Sequence, residues 1–169
     1  MMKTSWQQSI GIDNTHLVSF HDAMGKACQV NQNVAQSLSL LIDKANADGI
    51  NISIVSSHRS FEHQLRIWND KWMGYRPVFS RHGRPLNITQ MSDMEKYKAI
   101  SLWSALPGLS RHHWGTDFDI FNGDAIQNGY QVELTPQEFA PDGPCHALER
   151  WLTEQLKSCG FFRPYLQYN

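Results

Sequence analysis

No Cys-x-x-Cys pair, no apolar run of membrane-spanning length, no surplus of one charge and no internal repeat occurs in this 169-residue sequence. Each absence removes a class of function. Cys28, Cys145 and Cys159 form an odd set at unrelated spacings, which argues against a disulfide framework and against a thiolate zinc site. They are expected as thiols in or near the core. A membrane-spanning helix needs roughly 18 or more apolar residues in succession, and the first residues lack the apolar stretch of a secretory signal. Taken as it stands, the sequence reads as cytoplasmic; an export signal removed from it would make it periplasmic or envelope-located. With 15 basic and 16 acidic residues interspersed, no electrostatic footprint for nucleic acid or an anionic membrane exists.

What is present is core-forming material. Apolar residues make up 41% and charged residues 18%, and six Trp, eight Phe and five Tyr set the chain apart from disordered segments. Its length suits one domain. In residues 31–48, Val34, Leu38, Leu41 or Ile42, and Ala45 recur at helical spacing, and Gly49 follows as a C-cap. Ile50, Ile52 and Ile54 then alternate as one face of a strand. Ser60 caps a second helix with Phe61, Leu65, Trp68 and Trp72 on one face, closed by Gly74. After an irregular stretch, residues 76–90, the capping box Ser92-x-x-Glu95 opens a third helix to about residue 105, with Met94, Tyr97 and Ile100 on its buried side.

Residues 116–121 alternate as a strand, with Tyr130, Val132 and Leu134 as its expected partner across a turn at Asn122-Gly123-Asp124. Thr135 to Glu138 forms another capping box, and a last helix from Pro144 buries Leu148, Trp151 or Leu152, and Leu156. Helices and strands intermingle without regular alternation. The expected class is therefore α+β, a small and largely antiparallel sheet flanked by helices.

Chemistry concentrates in Ser110-Arg111-His112-His113-Trp114-Gly115-Thr116-Asp117-Phe118-Asp119. Imidazole and carboxylate are both zinc ligands, and a catalytic zinc takes three protein ligands and leaves one position open. His112 and Asp119 are able to supply two, although a solvated loop carrying the same residues is the alternative on spacing alone. Gly115 between them lets the backbone turn tightly beside a metal, where a side chain would clash. In a strand, Asp117 and Asp119 share a face, with Phe118 and Ile120 toward the core.

The run Pro107-Gly108-x-Ser110-x-His112-x-x-Gly115-x-x-x-Asp119 resembles the first zinc motif of the D-alanyl-D-alanine carboxypeptidase family. That family is related to the vancomycin-resistance D,D-peptidases, to L,D-carboxypeptidases and, more distantly, to lysostaphin-type endopeptidases and the hedgehog domain. Ser56-Ser57-His58-Arg59-Ser60 with Gln64 resembles a second family segment, Ser-Gly-Tyr-Arg-Ser followed by Gln, though Ser57-His58 stands where Gly-Tyr is commoner. The likeness runs over about four-fifths of the chain.

The resemblance implies a hedgehog-like peptidase fold, one domain over residues 1–169, and Zn²⁺ on His112 and Asp119. Arg59 is then the catalytic cation for the oxyanion or the substrate carboxylate. Gln64 and Ser110 become substrate contacts, and the partner is a peptidoglycan stem peptide ending in D-Ala, with D,D- and L,D-bonds both open; Trp114, which like Trp103 flanks the motif, is a candidate wall of the substrate groove on position alone. The family's general-base Glu and third zinc ligand, a His, sit in a Glu-x-x-His type motif after the last helix and a further strand. Both are expected beyond Asn169.

The rival expectation is a catalytically inactive module of the same fold that binds peptidoglycan or a protein. His16, His21, His63 and His82 have no partner spacing and read as surface or helix-face residues, and His146 would be an improvised ligand. Trp103 reads chiefly as core.

Overall fold

Two short antiparallel strand pairs carry the helices, and the computed structural model describes residues 5–164. The order is α1 (Trp6–Ser9), β1 (Leu17–His21), β2 (Ala27–Asn31), α2 (Ala35–Ala47), β3 (Ile52–Ser56), α3 (Phe61–Trp72), α4 (Asp93–Ser101), β4 (Asp119–Asn122), α5 (Gly123–Gln127) and α6 (His146–Gln155), with single 3₁₀ turns between. The α+β expectation holds. No helix among the described residues is long and apolar enough to cross a membrane.

Helix α2 buries Leu38, Leu41, Ile42 and Ala45, as its spacing predicts, and Gly49 ends it at φ +75°. Those side chains meet Ile52 and Ile54 of β3, Phe121 of β4 and Leu148, Trp151 and Leu152 of α6 in the main core. Cys145 and Cys159 lie inside this cluster and Cys28 packs against it. A smaller cluster of Trp68, Val78, Ile88 and Ile100 ties α3 to α4 and the intervening loop.

Three expectations need correction. The partner of the Asp119 strand is β3, paired Ile52 to Asn122, Ser53 to Phe121 and Ile54 to Ile120. Residues 130–134 form no strand. Asn122 caps α5 instead of making a hairpin turn: its Oδ1 accepts from Asp124 N at 3.0 Å and its Nδ2 donates to the Pro144 carbonyl at 2.8 Å. Second, Met94, Tyr97 and Leu65 are exposed, and the buried face of α3 is Gln64, Ile67 and Trp68. Third, His16 is buried, whereas His21, His63 and His82 are exposed as expected. Neither ring nitrogen of His16 has a hydrogen-bond partner among the described residues.

The N-terminal hairpin, which the periodicity did not reveal, is fastened to the sheet by one carboxylate. Asp22 Oδ1 accepts from Met24 N and Lys26 N at 3.0 and 2.8 Å, and Oδ2 accepts from Ile54 N at 2.9 Å and Ser53 Oγ at 3.2 Å. A buried carboxylate is tolerated because those donors replace its lost water.

Candidate metal centre and substrate groove

The β3–β4 register shifts between Ile54 and Ser56, so that Ser56 faces Asp119. A bulge of this kind re-aims the residues beyond it. Here it turns the chain into His58 and Arg59, beside the 3₁₀ turn Arg111–Trp114 that carries His112. The two segments are tied together: Arg59 N donates to the His112 carbonyl at 3.0 Å.

The ring of His112 is held by its far nitrogen. Nδ1 lies 3.0 Å from the Ser57 carbonyl and 3.1 Å from the Asp117 carbonyl. Both partners are acceptors, so Nδ1 carries the proton. Nε2 then points its lone pair at the carboxylates, 3.3 Å from Asp119 Oδ2 and 3.9 Å from Asp117 Oδ2. A lone pair facing an ionised carboxylate at such a distance is repulsive unless a cation or proton intervenes. This nitrogen and oxygen set fits a divalent cation, and the clamped Nδ1–H is the usual outer-shell support of a ligating imidazole.

No group of three His, Cys, Asp or Glu side chains able to hold a metal is found among the described residues. The third imidazole and the general base are expected outside the described residues. Asp117 and Asp119 do face the same ring, although the strand begins only at Asp119. Asp117 also pairs with Arg111 at 3.4 Å.

His113, left without a role by the motif, is a strut. It is fully buried, its Nδ1 donates to the Arg59 carbonyl at 2.6 Å, and its Nε2 accepts from Gly108 N at 3.0 Å. Burial lowers its pKa, which keeps the ring neutral as that pairing requires. Gly11 at φ +81° lies against this ring, and a side chain there would collide with it. Gly115 has a comparable reason: at φ +66° a Cβ would sit 2.6 Å from Leu17 and 2.9 Å from Asn31 N. The close approach expected at Gly115 is thus to the hairpin rather than to a metal. Asn31 completes that seam, donating its N to the Gly115 carbonyl at 2.8 Å and its Nδ2 to the Trp114 carbonyl at 3.0 Å. Behind it, burial pushes the His58 imidazole down to about 4, with neighbouring His16, His113 and His112 adding to the effect.

Arg59 is half-buried and held from two sides: Nη1 donates to Gln64 Oε1 at 2.7 Å and Nη2 to Ser56 Oγ at 2.8 Å, while Nη2 stands 3.8 Å from Asp119 Oδ2. Gln64 is fully buried, and its Nε2 donates to the Ala105 carbonyl at 2.7 Å. It therefore positions Arg59 instead of lying open to a peptide. Ser110 is buried at the start of the His112 turn.

From Arg59 and Asp119 a groove of about 370 Å³ runs along α3, walled by Ile67, Phe79, Trp103 and Leu134, with Lys71 further along it. The tryptophans depart from expectation: Trp103 is not simply core, and Trp114 is exposed. Trp103 lines the groove, with Nε1 donating to the Ser80 carbonyl. Trp114 lies outside it, its Nε1 on the Ser9 carbonyl at 3.2 Å and the Arg111 guanidinium over its ring. Lys71 and Ser56 escaped the sequence reading. Lys71 lies seven residues after Gln64 and so on the same face of α3, but its lack of a carboxylate partner leaves no mark in the spacing.

Comparison with known proteins bears on this geometry. The VanY D-alanyl-D-alanine carboxypeptidase family matches over residues 27–169. Two uncharacterised Haemophilus influenzae proteins are similar: one is 33% identical over 62% of this chain and 72% of its own length, the other 39% identical over 36% and 47%. Among solved structures, the vancomycin-resistance D,D-pentapeptidase VanY in complex with Zn(II) shares the fold at TM-score 0.60 and 22% identity, over 89% of this chain and 68% of that one. VanYB in complex with D-alanine-D-alanine matches equally at 0.60, over 92% of this chain and 70% of that one, with 22% identity. The LdcB LD-carboxypeptidase gives 0.61 at 19% identity, over 92% of this chain and 61% of its own. The chain belongs to the VanY D-alanyl-D-alanine carboxypeptidase family.

Proposed function

We propose that this protein is a zinc-dependent carboxypeptidase that removes D-Ala from peptidoglycan stem peptides. His112 and Asp119 are two of its metal ligands, and Arg59 is its catalytic cation. One observation carries the reading: His112 Nε2 faces Asp119 Oδ2 at 3.3 Å while Nδ1 is clamped by two carbonyls. The family match and the Zn(II) complex of a structural neighbour support the choice of metal, and another neighbour's complex with D-alanine-D-alanine supports the choice of substrate.

A bound zinc supplies Lewis acidity and a water whose pKa is lowered to ~7. The chain's own residues do the rest. The Ser57 and Asp117 carbonyls keep His112 in the ligating tautomer. Gln64 and Ser56 each take one guanidinium N–H of Arg59, leaving other N–H groups of its fork for the groove. These stabilise negative charge developing on the scissile carbonyl oxygen, or clamp a substrate carboxylate, with charge-assisted hydrogen bonds. The third imidazole, and the carboxylate that takes the water's proton and returns it to the leaving amine, are those of the expected Glu-x-x-His motif.

The test is release of D-Ala from stem peptides ending in a D,D- or an L,D-bond. Activity should vanish on dialysis against a chelator and return with one equivalent of zinc. Protein that holds one zinc yet cleaves neither peptide overturns the enzymatic reading in favour of a binding module.

A further inference from the structure

Lys71 is the one groove-lining cation among the described residues that has no carboxylate partner. Arg59 stands near Asp119, and Arg76 pairs with Asp70 at 3.3 Å. Lys71 Nζ donates only to the Ser104 hydroxyl, at 2.6 Å. An ammonium has three N–H donors, so two remain for something else. The group is half-buried on α3, in a groove whose lining mixes apolar Ile67, Phe79 and Trp103 with the carboxylates of Asp119 and Glu133, neither of which pairs with it. Removing a cation from water without a counter-charge is unfavourable. The burial lowers the ammonium's pKa to about 8, with the Arg59 and Arg76 charges adding to the effect. Glu133, exposed at the rim of the groove, is not within ion-pair distance.

Position adds direction. Gln64, which holds Arg59, and Lys71 are seven residues apart on one helix, about 10 Å along its axis. Gln64 reaches the Ala105 carbonyl and Lys71 reaches Ser104, so the same segment backs both. A peptide held near Asp119 and Arg59 and lying along this face brings a second group toward Lys71. An anionic group there supplies both the acceptor and the counter-charge that the ammonium lacks.

We propose that Lys71 is a specificity-determining residue that receives a carboxylate of the bound peptide at the end of the groove remote from His112. The inference rests on the carboxypeptidase reading for the identity of the peptide, but the presence of an anion site can be measured without turnover. The carboxylate has two sources in a stem peptide: the C-terminal α-carboxylate, or the side-chain carboxylate of a diaminopimelate that lysine-type peptides lack.

Both sources are separated with acetylated stem peptides made as acid or C-terminal amide, carrying diaminopimelate or lysine. Zinc-loaded wild type, Lys71→Met and Lys71→Arg are compared by KM, kcat and calorimetric Kd. One change of peptide, acid to amide or diaminopimelate to lysine, should weaken wild-type binding about tenfold or more, the size of one charge-assisted hydrogen bond. Lys71→Met should erase that discrimination, with the loss falling on KM and Kd more than on kcat. Lys71→Arg should keep most of it. A Lys71→Met protein that discriminates both pairs as wild type does overturns the proposal. Wild type that cleaves none of the peptides sinks the carboxypeptidase reading alone, because the Kd comparison still reports the anion site.

Discussion

The two ends of the groove are built on opposite terms. At the His112 end, three side chains are held from within the chain: the far ring nitrogen of His112 faces two carbonyls, Arg59 is gripped by Gln64 and Ser56, and His113 bridges Arg59 to Gly108. At the Lys71 end, one ammonium leans on one hydroxyl. The contrast fits the roles proposed for the two ends. Chemistry at a metal needs groups held in place before the substrate arrives. Recognition of a charged ligand needs a group whose partner is the ligand itself, and such a group is left unsatisfied in the free protein.

The strongest way to break the comparison is at the metal end. His112→Ala and Asp119→Ala should each abolish zinc retention at micromolar free metal and lower activity by about 10³-fold or more, since catalytic zinc depends on all its protein ligands. Asp117→Asn should retain metal, because Asp117 Oδ2 stands further from Nε2, at 3.9 Å, and the carboxylate's other oxygen, Oδ1, is engaged by Arg111. Metal analysis beside D-Ala release checks all three; a His112→Ala protein with one full equivalent of zinc would remove His112 from the ligand set.

A smaller loss is expected one step back. Arg59→Ala should lower kcat by about 10²-fold, the usual cost of one charge-stabilising donor, with zinc content unchanged. Gln64→Met leaves the guanidinium in place but removes its brace and orphans the Ala105 carbonyl. It should reduce stability by about 1–3 kcal/mol and kcat by less than Arg59→Ala does. Equal loss of zinc and turnover in Arg59→Ala would show that the arginine supports the ligands rather than the reaction.

How much of this was legible without coordinates depends on the range of the interaction. Helix α2, the capping boxes at Ser92 and Thr135 and the His112 to Asp119 spacing are local patterns, and local patterns survive in a sequence. The pairing of β3 with β4 joins residues more than sixty positions apart, and alternation states that a strand exists without naming its partner. Residues 130–134 alternate well and still form no strand. Leu134 adopts φ +59°, and the Tyr130 ring stacks on Phe121 with centroids 5.6 Å apart, so their apolar side chains cover the sheet instead of extending it. Trp103 and Trp114 could not be told apart, because flanking a motif says nothing about which way an indole points. Lys71 was hidden for a different reason: an unpaired cation is defined by the absence of neighbours, which no spacing records.

The smallest expected effect sharpens the comparison from the stability side. The Lys71 ammonium has a pKa of about 8 in the fold against 10.5 as an ordinary lysine, with burial the main cause. Between those values the unfolded chain binds more protons than the native one, so stability rises with pH across that window. Below pH 8 both states are protonated, and the native state carries the full desolvation penalty. Lys71→Met removes that penalty and also the bond to Ser104, which offsets part of the gain. After screening by water at a half-exposed site, about 1 kcal/mol should remain at pH 7, a rise in Tm of roughly 2–4 °C for a chain of this size. The advantage of the variant should shrink as pH climbs from 8 toward 10.5, where the wild-type lysine folds uncharged. Thermal melts of both proteins at pH 7 and pH 10 measure it. A variant less stable than wild type at pH 7 would mean that Lys71 is already satisfied within the chain, and the two ends of the groove would then be built alike.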